Sequence, residues 1–193
     1  MRTPKSLRLH IAIFGRRNVG KSSLLNAFVH QEVSIVSDHK GTTTDPIEKT
    51  MELLPLGPVV LIDTAGLDDE GDLGALRVER TLRQFDRCDM ALIVTDNVWG
   101  EEERRIRDAL EARHIPHLAV LNKCDLYDHA PLIAHLEAQK IPVVSVCAQD
   151  DARMEQLYRA LIRTAPDEFA DSQPLLSGIV SPEDHILLVI PID

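Results

Sequence analysis

The chain has 193 residues, 44% hydrophobic and 27% charged, which excludes a wholly disordered polymer and allows one buried core without disulfide or metal support. Its formal net charge of −10 and 4% aromatic content argue against bulk electrostatic DNA binding and against a stacking platform for single strands. No run of roughly 18 apolar residues occurs and the N-terminus lacks a small-residue cleavage site, so neither a nucleic-acid nor a membrane partner is expected, and the expected location is the cytoplasm.

The predicted elements alternate. Leu7–Phe14 is a buried strand ending at Gly15, and Lys21–Val29 a helix with Leu24, Leu25 and Phe28 on one face. Ser34–Asp45 is polar and Thr-rich and reads as a loop. Ile47–Leu54 alternates and meets Pro55, as an edge strand does. Val59–Asp63 is a buried strand ending in an acid, followed by a glycine- and acid-rich loop and a helix over Ala75–Phe85. Then come strand Met90–Thr95, helix Glu101–Arg113, strand Leu118–Leu121, helix Pro131–Gln139, strand Pro142–Val146 and helix Met154–Ala165. Strands alternating with such helices predict an α/β, three-layer domain around a mostly parallel six-stranded sheet, with ligands beyond the strand carboxyl ends.

The loops at those ends carry the chemistry. Gly15-Arg16-Arg17-Asn18-Val19-Gly20-Lys21-Ser22 fits the phosphate-loop pattern G-x-x-x-x-G-K-S/T between a strand and a helix. Its glycines let backbone N–H groups wrap a phosphate at a helix N-terminus, Lys21 reaches the terminal phosphates, and the Ser22 hydroxyl can ligate Mg²⁺. Ser23 follows in the same turn. Asp63-Thr64-Ala65-Gly66 places an acid for Mg²⁺ and a glycine N–H for a γ-phosphate. Asn122-Lys123-Cys124-Asp125 supplies a carboxylate that can accept both guanine N1–H and its 2-amino hydrogen, a pair adenine lacks. Thr43, in Gly41-Thr42-Thr43-Thr44-Asp45, is the candidate for a threonine that meets Mg²⁺ only while the γ-phosphate is present. Together these loops predict GTP as substrate, with Lys21, Asn18, Thr43 and Gly66 as the catalytic set.

These motifs and their order resemble the TrmE–Era–EngA group of GTPases over about residues 7–165. Within that group Gly15–Phe28, Val33–Pro46, the start of Gly57–Arg80 and the closing Val189–Asp193 resemble the HydF family of FeFe-hydrogenase maturation GTPases. The resemblance implies a switch in assembly or delivery of the hydrogenase di-iron subcluster, with the hydrogenase and its maturation proteins as partners. It also implies a guanine-contacting Ser-Ala loop, which reads Cys147-Ala148 here, and a K⁺ ion held partly by the phosphate-loop asparagine, here Asn18. Leu67 stands where Ras-like enzymes use a water-orienting glutamine, so slow intrinsic turnover is expected. The alternatives are a TrmE/Era-like GTPase in tRNA modification or ribosome assembly, and a binding switch with negligible turnover.

The remaining features have blander readings. Cys88, Cys124 and Cys147 are too scattered for an iron–sulfur cluster and read as buried small hydrophobes. His114 and His117 straddle Pro116 and read as solvated turn residues. Arg77, Arg80, Arg83 and Arg87 form either a solvated helix face or a partner surface. The division expected is a GTPase domain over 1–165, then 166–193 as linker and first strand, Ile186–Ile190, of a further domain through which a homodimer forms; the alternative is an edge strand of the same sheet.

Overall fold

A computed structural model describes residues 8–30, 35–39, 47–63 and 85–170. Seven strands, β1 (Leu9–Phe14), β2 (Ile35–His39), β3 (Ile47–Leu53), β4 (Gly57–Asp63), β5 (Met90–Thr95), β6 (His117–Leu121) and β7 (Val143–Ser145), form one sheet in the order β2-β3-β4-β1-β5-β6-β7. The helices are α1 (Lys21–His30), α2 (Glu101–Glu111), α3 (Ala130–Ala138), α4 (Asp151–Thr164) and the single turn α5 (Asp167–Ala170). The pairs β4–β1, β1–β5, β5–β6 and β6–β7 are parallel, while β2–β3 and β3–β4 are antiparallel.

Alternation along the buried strands makes the three layers. Leu9, Ile11 and Ile13 face the same cluster as Leu24, Leu25 and Phe28 of α1 and Met154, Leu157 and Leu161 of α4. Ala12 and Phe14 face the other cluster with Leu110 of α2 and Leu136 of α3. Strands buried on both faces read as continuous apolar runs, which is why they were visible in the sequence. Helix ends follow local chemistry. Gly100 caps α2, whose first turn carries Glu101, Glu102 and Glu103 against the helix dipole. Asp150 caps α4 by accepting the Arg153 N–H at 3.2 Å.

All six strands predicted for the sheet are present, and a seventh, β2, corrects the sequence reading. Residues 35–39, taken as loop, form β2 antiparallel to β3, so Ile47–Leu53 is interior rather than an edge strand. Ser37, Asp38 and His39 carry no apolar alternation, and a sheet edge does not demand one. At the other end, α5 continues past 165 and Phe169 packs on the first cluster, so the residues just after 165 belong to this body. Residues 75–84 of the helix predicted over Ala75–Phe85, with Arg77, Arg80 and Arg83, and also Leu67 and the strand predicted at 186–190, lie outside the described residues; Phe85 is helical. Arg87 pairs with Glu48 of β3. His114 is an exposed turn residue, as expected, whereas His117 is half-buried and begins β6. Among the described residues no helix is long and apolar enough to cross a membrane.

Candidate functional site

Register puts the chemistry on one edge. Ile13 pairs with Asp63, Phe14 with Ile93, Thr95 with Leu121, and Leu121 with Ser145. The carboxyl ends of β4, β1, β5, β6 and β7 therefore align, and the loops after them share one rim.

The loop after β1 is shaped by its glycines. Gly15 has φ +144, and a Cβ there would stand 2.1 Å from the Val94 carbonyl oxygen. Gly20 has φ +95, with its would-be Cβ 2.1 Å from Asn122 Nδ2. Both positions demand glycine on two counts, conformation and space. Gly20→Ala is accordingly expected to lower stability by roughly 2–5 kcal/mol through left-handed strain plus overpacking. Urea denaturation reads this out directly; an unchanged midpoint would contradict the close approach to Asn122.

Lys21 is 5% exposed and folds back on its own loop. Its Nζ donates to the Gly15 carbonyl and, at 2.8 Å, to the Arg16 carbonyl. Ser22 and Ser23 are exposed at the start of α1, and Val19 is buried beneath the loop. Asp63 is buried at the end of β4, on the strand next to β1. Asn18 is exposed and left-handed, at φ 64.

The loop after β6 is fastened to the phosphate loop. Asn122, 3% exposed, donates from Nδ2 to the Val19 carbonyl at 2.9 Å. Lys123 donates from Nζ to the Asn18 carbonyl at 2.6 Å, and itself has φ 65. Cys124 N–H bonds the Val146 carbonyl at 3.1 Å, bringing this turn against the turn after β7. There the Cys147 thiol lies beside the Asp125 carboxylate. A backbone hydrogen bond at Gln149 lowers the Cys147 pKa, but desolvation and the Asp125 carboxylate outweigh it and hold the thiol above its ordinary value. Asp125 is exposed and Ala148 half-buried against the core. The structure thus brings Asn122, Lys123, Asp125, Cys147 and Ala148 together beside Asn18 and Val19. Thr43 and Gly66 lie outside the described residues.

One expectation needs correction. Cys88 is buried, and desolvation first, then the Asp89 charge, pushes its thiol up to about 12. Cys124 and Cys147, by contrast, are half-buried, because they sit on the rim turns and not within the strands. The guanidinium of Arg16, whose backbone stays within the phosphate loop, points away from that loop. Its Nε donates to Glu103 at 2.7 Å and its Nη2 to the Val98 carbonyl at 2.9 Å and Thr95 Oγ1 at 3.2 Å. Only its carbonyl meets Lys21. Sequence reasoning missed Thr95, Asp96 and Glu103; the one available signal was Gly100-x-x-Glu103, a capping pattern that says nothing of Arg16.

A family model described as 50S ribosome-binding GTPase matches residues 10–123. This chain belongs to that GTPase family. The GTPase is 33% identical over 187 residues to the tRNA modification GTPase MnmE (TrmE) of Chromobacterium violaceum, covering 93% of this chain and 41% of that one. It is 33% identical over 171 residues to GTPase Der of Nitratiruptor sp., covering 82% and 37%. Among solved structures, Aquifex aeolicus Era bound to GDP.AlF4- superposes with a TM-score of 0.64 at 26% identity, covering 94% of this chain and 62% of that one. The GTPase thus spans about two-fifths of the length of these curated relatives. It is a GTP-hydrolysing enzyme of the TrmE/Era/Der type. None of these relatives is a hydrogenase-maturation protein.

Proposed function

We propose that residues 15–22 cradle the GTP phosphates, that Asn122, Lys123, Asp125, Cys147 and Ala148 hold the guanine, and that the chain works as a nucleotide-dependent switch. The observation that carries this reading is the fastening of the two loops, Asn122 to Val19 O and Lys123 to Asn18 O. It sets the distance between a phosphate cradle and a base site before any ligand arrives, which is preorganisation in the useful sense. Backbone groups of Gly15 to Gly20 face the phosphates, and the Lys21 ammonium stabilises negative charge on the transferring phosphoryl group.

Ser22, Thr43 and Asp63 would hold Mg²⁺. The donors are all oxygens, which suits a hard cation, and Asp63 is buried beside the strand that feeds the phosphate loop. Bound Mg²⁺ supplies positive charge to the phosphate oxygens. The Gly66 N–H meets the γ-phosphate. No side chain is assigned as general base, so intrinsic turnover is slow.

Asn18 would hold K⁺. Among the described residues its side-chain amide makes no hydrogen bond, and its carbonyl is already taken by Lys123, so the amide oxygen is available as a ligand. K⁺ there adds positive charge where negative charge develops in the transition state. GTP turnover is expected to be faster in KCl than in NaCl at equal ionic strength, and Asn18→Ala is expected to remove the difference. Equal rates in both salts, or stimulation surviving the substitution, would sink the K⁺ role.

For the cellular output, the relatives favour tRNA modification or ribosome assembly. The second reading, hydrogenase maturation in the cytoplasm, rests on the Val33–Pro46 and Val189–Asp193 stretches. In both, the GTPase domain, expected over 1–165, extends through α5 to Ala170, and the residues after it lead towards a further domain. Turnover measured with tRNA, with ribosomal subunits and with apo-hydrogenase separates the two: the partner that accelerates hydrolysis names the role.

A further inference from the structure

We infer that Glu103 is a positioning residue for GTP binding and hydrolysis, acting on the phosphate loop through Arg16. The inference rests on the reading that residues 15–22 hold the phosphates. It gives a role to the β5–α2 connection, which no guanine or phosphate motif includes.

Glu103 sits in the first turn of α2, yet its side chain is 0% exposed. A carboxylate this buried needs a partner for each oxygen. Oε1 accepts from Arg16 Nε at 2.7 Å and Oε2 accepts from the Gly100 N–H at 2.8 Å. Nη2 of the Arg16 fork is shared by the Val98 carbonyl and Thr95 Oγ1, and Thr95 Oγ1 in turn donates to the Val98 carbonyl at 2.7 Å. An exposed arginine pair has a loose geometry; this one, with one partner fully buried, is fixed.

Lys21 lies two hydrogen bonds from Glu103. The same Arg16 residue offers its carbonyl to Lys21 Nζ at 2.8 Å. Anchoring the guanidinium therefore fixes the peptide against which the catalytic ammonium rests. A second branch runs through Asp96, which lies 3.8 Å from Arg16 Nη2 and 3.7 Å from Lys123 Nζ. Lys123 then returns to the phosphate loop at the Asn18 carbonyl. The loop is held at residue 16 from the β5–α2 connection and at residues 18 and 19 from the base loop.

Glu103→Gln keeps the shape but leaves one acceptor oxygen for two donors, so either Arg16 or the Gly100 N–H loses its bond. Loosening the cradle should weaken GDP and GTP and slow the chemical step together. The test compares the parent protein, Glu103→Gln, Arg16→Gln, the double variant and Lys21→Ala, all well below their unfolding midpoints. Fluorescent-GDP titration gives affinity, single-turnover hydrolysis gives rate, and thermal unfolding without nucleotide tracks the fold. Each single variant is expected to lose on the order of tenfold in affinity, and the double variant no more than either alone, because both break one interaction. Should Glu103→Gln fail to fold, Arg16→Lys keeps the charge and loses the fork, and the same loss is expected. Parent-like affinity and turnover in these variants, whatever their unfolding midpoints, would overturn the inference while the Lys21→Ala loss upheld the site. A parent that bound no guanine nucleotide would overturn the site reading itself.

Discussion

Lys21→Ala is expected to cut GTP turnover by about a hundredfold or more, with the unfolding midpoint moving by only a few degrees. The two effects separate for a physical reason. Lys21 sits at the first position of α1, and its Nζ spans the loop to the Gly15 and Arg16 carbonyls. Shortening the side chain vacates volume in which water can donate to those two carbonyls in place of the ammonium. Alanine also suits a helix start, so α1 keeps its backbone and the packing of Leu24, Leu25 and Phe28. No neutral group can replace the charge set against the transferring phosphoryl group. Single-turnover hydrolysis and thermal unfolding on the same preparation check both halves. Turnover at the parent rate would remove Lys21 from the phosphate site.

Much of this site was legible because its signals are local. Gly15, Gly20 and Lys21 announce a phosphate cradle through their spacing alone, and the structure gives the steric reason for both glycines in Val94 and Asn122. The apolar runs at β1, β4, β5 and β6 were equally plain, since strands buried on both faces admit little else. What stayed hidden was long-range. Arg16 and Glu103 are 87 positions apart, and nothing in either local sequence marks them as partners. A fully buried glutamate in a run of three reads as a solvated helix start, because acids are favoured there by the helix dipole wherever they point. Residues 35–39 were lost for a related reason. An edge strand takes its order from the neighbour it pairs with, here β3, and its own pattern carries little of that. Cys124 and Cys147 were misplaced because cysteine's tendency to burial is an average over elements, and these two occupy turns.

Asp125→Asn is expected to weaken GDP by about 10- to 100-fold and to make xanthosine diphosphate the preferred ligand. The turn that carries Asp125 is tied by its own backbone. Leu126 and Tyr127 N–H groups both bond the Lys123 carbonyl, at 2.9 and 3.2 Å, and Cys124 is tied to Val146. Asparagine has the shape of aspartate and fits this turn without altering its backbone. The substitution therefore changes hydrogen-bond character and little else. Aspartate offers two acceptors to guanine N1–H and the 2-amino group. Asparagine offers one acceptor and one donor, which leaves the 2-amino group facing an N–H, whereas xanthine presents N1–H and a carbonyl in matching order. The exposure of Asp125 sets the size of the effect. Water competes at an open site, so the loss stays near that of one charged hydrogen bond and below that of a buried, unpaired charge. Isothermal titration with both nucleotides, together with GTP and XTP turnover, decides the matter. GDP affinity equal to the parent's would take Asp125 out of the base site and leave the Asn122 and Lys123 contacts as braces of the phosphate loop alone.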